Sequence, residues 1–293
     1  MREDFFRVGH FFQLACCAIA LSACATTARD AKPAGGRASC PTLQLRFVID
    51  KKYDARTLFG MLHQNDPAGL ASRSAAMGLE KDFAQRIHDA PDYAGVSDEI
   101  SRIVDARYAE VAPKLEAARA EYEKLWAPLV EGFSGVVTAT TQHCWFHPTP
   151  ETLYTDVVSA FHPGISDWYG NTVATKYDLP AESKRRILAH EIVLSQIFHA
   201  IRKYHPKSEI SDWRVWALSE ISTVWILNDS RLHAYWPDSP TQGYFAHSNY
   251  PQLAVLEEEL QPVFSRRTSF RAYMDEAVAR VGKIEEARLT TRK

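Results

Sequence analysis

The sequence lacks several features that would assign it to a common class of protein. Its longest N-terminal apolar run covers only residues 11–21 of 293, whereas a membrane-spanning helix needs about 20 apolar residues. There is no glycine-rich phosphate loop, no GxSxG motif and no internal repeat. P-loop nucleotide binding, the usual serine-hydrolase chemistry and a repeat architecture therefore have no support.

The chain also lacks an excess of charge of either sign. Its formal net charge is −2, and its acidic and basic residues are dispersed. Proteins that bind nucleic acid usually concentrate Lys and Arg on one face, so we predict no nucleic-acid partner. The content of 46% hydrophobic and 24% charged residues is that of an ordinary globular protein.

The N-terminus has the pattern of a secretory signal. Arg2 and Arg7 precede the short apolar run, and small residues follow it. The tetrad Leu21-Ser22-Ala23-Cys24 resembles the lipobox of bacterial lipoproteins. The resemblance implies that residues 1–23 are a cleaved signal peptide and that Cys24 carries the lipid. Ala25 then implies an anchor in the outer membrane, with the protein facing the periplasm.

The residues between the lipobox and the folded part suit a flexible tether. Residues 24–39 are small, polar or helix-breaking, and include Pro33, Gly35 and Gly36. No comparable change of composition occurs later, so we predict a single domain over residues 40–293. A chain of this length is long enough to bury a sizeable core.

Two of the five cysteines lie in this predicted domain. Cys40 and Cys144 remain once Cys16, Cys17 and Cys24 are assigned to the N-terminal region. In an oxidising compartment two such cysteines are a candidate disulfide. Two separate buried thiols remain an equal alternative, because the sequence gives no distance between them.

The order of local patterns predicts an α+β fold with a small mixed sheet, a long central helix and a mostly helical C-terminal part. Alternating branched and aromatic residues predict strands, and three-then-four spacing of apolar residues predicts helices. Strands are expected at residues 43–49 and 171–176, a hairpin at residues 135–146 and 153–161, a long helix at 97–126 and closing helices at 253–261 and 269–283.

Two helical patterns between residues 185 and 229 each place one ionisable residue in an apolar stripe. His190 shares the first stripe with Ile187 and Leu194, and Glu220 shares the second with Trp216. A carboxylate buried among apolar groups is costly unless a proton, a cation or a metal compensates its charge. Glu220 therefore requires a partner, and His190 is the candidate.

His190-Glu191 on a helix after several strands, with Glu220 on the next long helix, resembles the zincin fold of zinc metallopeptidases with a glutamate as third ligand. The resemblance implies that His190 and Glu220 bind zinc, that Glu191 is the general base, and that a peptide or cell-wall amide is hydrolysed. One position departs from HExxH: Leu194 stands where the second histidine belongs. The missing ligand would have to come from elsewhere, and His162 and His247 are the candidates.

A purely structural interpretation stands beside this one. His190 and Glu220 on facing helices can share a charge-assisted contact that aligns the helices without catalysis. Glu191, one residue off the stripe, would then be a solvated helix acid that pairs with a base such as Arg185. In that case the chain is an inactive binding or assembly lipoprotein of the envelope.

Overall fold

The structure is a computed structural model that describes residues 40–63, 67–146, 153–162, 164–237 and 250–289. The segment Cys40–Lys293 forms one compact unit. Cys40, its first residue, is joined to Cys144 by a disulfide. The two cysteines therefore form a disulfide and are not separate buried thiols. Cys24 and the predicted tether lie outside the described residues.

A strand and five helices make up the first half of the unit. The strand β1 is short and lies at an edge of the sheet, and Asp50 caps the helix that follows it by accepting from the backbone N–H groups of Lys52 and Tyr53. The longest helix runs without interruption through Pro113. The elements are β1 (Gln44–Val48), α1 (Lys51–Leu62), α2 (Pro67–Ala76), α3 (Lys81–Asp89), α4 (Ser97–Trp126) and α5 (Val130–Thr141).

Three further strands complete a four-stranded mixed sheet. They are β2 (Leu153–Ser159), β3 (Gly164–Ser166) and β4 (Thr172–Lys176), and the spatial order is β1-β2-β4-β3. β1 and β4 both run parallel to β2, and β3 runs antiparallel to β4. The two edges of the sheet are therefore β1 and β3.

The second half is helical. The central helix α6 (Ala181–Tyr204) packs against β3, β4, α4 and α7 (Asp212–Leu227). A 3₁₀ helix at Ser230–Tyr235 precedes α8 (Pro251–Arg266), α9 (Phe270–Val281) and α10 (Glu286–Leu289). None of the helices in these described ranges is long and apolar enough to span a membrane.

The expected small mixed sheet, long central helix and helical C-terminal part are all present. The predicted hairpin is wrong. Residues 135–141 belong to helix α5, and residues 153–159 pair with β1 and β4 instead. The buried side chains Phe133, Val136, Val137 and Thr141 follow helical spacing, which the branched composition of the segment had obscured.

Candidate functional site

The centre of the candidate site lies on α6, which is buried along most of its length. Every residue from Leu188 to Ile201 is buried, because the sheet covers one side of the helix and α7 another. Lys184 anchors the first turn through an ion pair with Glu121 of α4. This stretch of the helix therefore holds its ionisable side chains away from bulk water.

His190 and Glu220 meet across the interface between α6 and α7. The distance from His190 Nε2 to Glu220 Oε2 is 3.2 Å, and the two residues are 3% and 7% exposed. Burial lowers the pKa of His190, but the charges of Glu220 and Glu191 and the contact with Glu220 outweigh it and leave the pKa above its ordinary value. The buried acid thus has the partner that its position in the stripe required.

Glu191 is buried beneath the edge strand β3. It is 8% exposed, it has a hydrogen bond with Ser166, and its Oε1 lies 2.7 Å from the place that a Cβ on Gly164 would occupy. Burial raises the pKa of Glu191 to about 7, against the lowering effect of His190. The interpretation of Glu191 as a solvated helix acid is therefore wrong: β3 covers this face, and Gly164 makes the close approach possible.

Among the described residues, the donors around His190 do not make up the ligand set of a catalytic zinc site. Two ligands of a tetrahedral zinc ion lie roughly 3.3 Å apart, given bonds of about 2.0–2.2 Å, so the spacing of His190 and Glu220 is compatible with a shared ion. Catalytic zinc needs three protein ligands. Leu194, one turn after His190, is 2% exposed and has no lone pair. Within the described ranges, no group of three His, Cys, Asp or Glu side chains could hold a metal.

Of the two candidate replacement ligands, the structure describes His162 alone, and its ring contacts α1. His162 is 1% exposed, and its Nε2 lies 2.8 Å from Thr57 Oγ1 on α1. Burial lowers the pKa of His162 to about 4. His247 lies outside the described residues. His199, at the far end of α6, stacks on Phe146 with ring centroids 3.5 Å apart.

Another buried acid, Asp54, was not identified from the sequence. It is 0% exposed and accepts hydrogen bonds from Ser159 Oγ at 2.7 Å, Tyr108 Oη at 2.8 Å and the Ala160 backbone N–H at 3.0 Å. Burial raises the pKa of Asp54 to about 6, although these donors lower it. The sequence did contain a signal, because Asp54 is in helical phase with Leu58 and Leu62, both fully buried.

A fourth buried acid, Asp156, lies in β2 close enough to Glu191 for their charges to interact. It is 0% exposed and accepts from Thr175 Oγ1 at 2.8 and 3.0 Å. Burial raises its pKa well above the ordinary value, and the charge of Glu191 adds to this. Glu191, with a pKa of about 7, can therefore hold a proton near neutral pH, and burial makes the nearby Asp156 resist ionisation.

No protein-family model, curated protein or solved structure matches this chain. The interpretation of the site therefore depends on its own geometry. That geometry provides a buried contact between His190 and Glu220, a neighbouring carboxyl with a pKa near neutrality and an edge strand directly above that carboxyl.

Proposed function

We propose that the chain is a lipid-anchored protein of the bacterial envelope, facing the periplasm, whose domain is zincin-like and works by binding a peptide or an envelope protein. The observation that carries the proposal is Leu194, which packs in the core where the resemblance requires a second histidine. Without that ligand, His190 and Glu220 contact each other directly, at 3.2 Å.

Several features support the zincin-like assignment. The order of elements is a mixed sheet with an antiparallel edge strand, then a central helix with His190-Glu191, then a helix with the acid Glu220. Glu191 lies beneath β3, and Glu220 lies beside His190. The contact between Glu220 and His190 is what a shared ligand set would require, and it supports the assignment.

The edge strand suggests how a peptide would bind. β3 is bonded to β4 on one side only within the described sheet, so an extended peptide can pair with its other side. Such a peptide would pass above Glu191, which can donate or accept one hydrogen bond near neutral pH. The buried pair of His190 and Glu220 would keep α6 and α7 in register beneath it.

The decisive variant is Leu194→His, which restores the missing ligand. We expect this variant to bind about one equivalent of zinc because three donors then converge, and we expect the unaltered protein to bind less than a tenth of an equivalent. Metal content would be measured by plasma emission after dialysis, on protein without a histidine tag. Leu194→Gln is the matched control, since it introduces a polar group of similar size that binds zinc poorly.

Each outcome bears on a different part of the proposal. Zinc bound stoichiometrically by the unaltered protein would contradict the loss of the metal site. A folded Leu194→His variant that takes up no zinc would contradict the zincin-like geometry. If Leu194→His is unfolded without metal, zinc-dependent recovery of the circular dichroism spectrum counts as uptake, and no recovery counts against the geometry.

The envelope location has a separate test. Mass spectrometry of the protein from bacterial membranes should find Cys24 as an acylated N-terminal residue, and Cys24→Ser should release the protein into the soluble fraction. An intact N-terminus with free Cys24 would contradict the lipoprotein assignment without affecting the domain.

Peptide or amide hydrolysis at an atypical metal site is the second candidate. The observation that favours it is Glu191, whose pKa of about 7 suits a general acid or base. Against it stands the ligand set, which the described donors leave incomplete. Metal-dependent cleavage of a casein substrate that Glu191→Gln abolishes, while the fold is retained, would favour hydrolysis over binding.

A further inference from the structure

The edge of the sheet opposite β3 has a groove beside β1 that the described residues leave open. The groove has a volume of about 520 Å³ and lies between β1 and the junction of α4 with α5. Its lining is largely apolar and includes Leu45, Phe47, Trp126 and Val130, with Arg46 and Glu123 as its charged members. The site under β3 uses none of these residues.

The phase of β1 shows which backbone groups point into this open side. Leu43 donates its N–H to Ser134 Oγ at 3.0 Å, which means that this N–H points away from β2. Alternate residues of a strand point their N–H groups to the same side. Leu45 and Phe47 are in phase with Leu43, so their N–H groups also face the open edge, while the N–H of Arg46 faces β2.

The charge on β1 selects the kind of strand that can pair there. If two copies of β1 paired antiparallel about their midpoints, Arg46 of one would face Arg46 of the other. Like charges directly opposite one another destabilise a pair of strands, and a charged residue on an edge is a common protection against self-association. Arg46 therefore disfavours a second copy of this chain and favours an acidic residue opposite it.

We infer that the β1 edge binds an extended segment of a partner protein, with an acidic residue opposite Arg46 and apolar residues facing Leu45 and Trp126. The partner adds a strand to the sheet, and its backbone carbonyls accept from the outward N–H groups of Leu45 and Phe47. This inference concerns a different edge from the proposed peptide site, and its failure would leave that proposal untouched.

The test uses the full protein and two short fluorescein-labelled peptides of alternating valine and serine, with either glutamate or lysine at the centre. We expect saturable fluorescence anisotropy with the glutamate peptide and binding that is roughly tenfold weaker with the lysine peptide. Arg46→Glu should invert this preference. Absence of saturable binding, or equal binding of both peptides, would overturn the inference.

Two variants at position 45 test whether the backbone N–H of Leu45 takes part in peptide binding. Leu45→Pro removes an N–H that the phase of β1 directs away from β2, and proline is tolerated in edge strands. We expect it to abolish binding, whereas Leu45→Ala, which keeps the N–H, should weaken binding only a few-fold. Equal effects of the two variants would contradict strand addition.

Hydrogen exchange keeps the inference testable if Leu45→Pro fails to fold. The amides of Leu45 and Phe47 should exchange more slowly when the glutamate peptide is added to the unaltered protein. Unchanged exchange would overturn the inference. So would a dimer in sedimentation with both amides already protected, because a second copy would then occupy the edge.

Discussion

Replacement of Asp54 by asparagine should change how the stability of the protein depends on pH. Asp54 is fully buried, and its pKa rises from 3.8 in the unfolded chain to about 6 in the fold. The folded state therefore holds the Asp54 proton more tightly than the unfolded chain does. As pH rises from about 4 to about 6, the Asp54 contribution to stability falls.

The size of this effect follows from the shift in pKa. At about 1.4 kcal/mol per unit, the shift of Asp54 corresponds to about 3 kcal/mol. An asparagine side chain cannot titrate, so Asp54→Asn removes this dependence. It also places an amide N–H₂ among three donors, which costs about 1–3 kcal/mol at every pH. Relative to the unaltered protein, the variant should therefore lose most stability near pH 4. Its loss near pH 7 should be smaller by about 3 kcal/mol.

Urea unfolding followed by tryptophan fluorescence at four pH values between 4 and 7 would measure the difference. Subtracting the variant from the unaltered protein cancels contributions from groups that do not contact Asp54. The neighbouring His162 acts in the opposite direction, because its lowered pKa makes stability fall as pH decreases from about 6.5 to about 4. His162→Gln is therefore the matched control, and it should steepen the loss of stability with rising pH. A difference between the unaltered protein and Asp54→Asn that stays constant with pH would refute the reasoning.

Three further predictions concern the site and its support. Gly164→Ala should destabilise the protein by about 1–3 kcal/mol in urea unfolding, because the new Cβ would lie 2.7 Å from Glu191 Oε1. Gly135→Ala is the control: its new Cβ would have no atom within 4 Å, and alanine should stabilise α5 by about 0.5–1 kcal/mol. Similar effects of the two would mean that β3 does not cover Glu191. Glu220→Gln should cost about 1–3 kcal/mol at pH 7 through a weakened contact with His190, and a near-zero cost would mean that the two helices do not face each other there. Cys40→Ser should lower stability by about 2–5 kcal/mol in calorimetry, since the disulfide closes a loop with a separation of 104 residues, and an unchanged melting temperature under non-reducing conditions would contradict this pairing.

Local periodicity was enough to predict many of the elements. The pattern at residues 97–126 coincides with α4, and that at residues 171–176 contains β4 (Thr172–Lys176). Helical spacing also put His190 and Glu220 on facing stripes, and they do meet. The short helix α2 was not predicted, and the segment of α5 was predicted to be a strand, because branched residues favour strands locally and only packing reveals which period is buried.

The sequence by itself therefore determined which faces of the helices are apolar and which ionisable residues lie within them. Only the tertiary structure decided what covers those faces. Glu191 is buried because β3, twenty-seven residues earlier at Gly164, passes directly over it. Asp54 accepts a hydrogen bond from Ser159, which is 105 residues away in the sequence. The physical reason is that a period in sequence defines one surface of an element, whereas the partner of that surface is selected by packing over the whole chain.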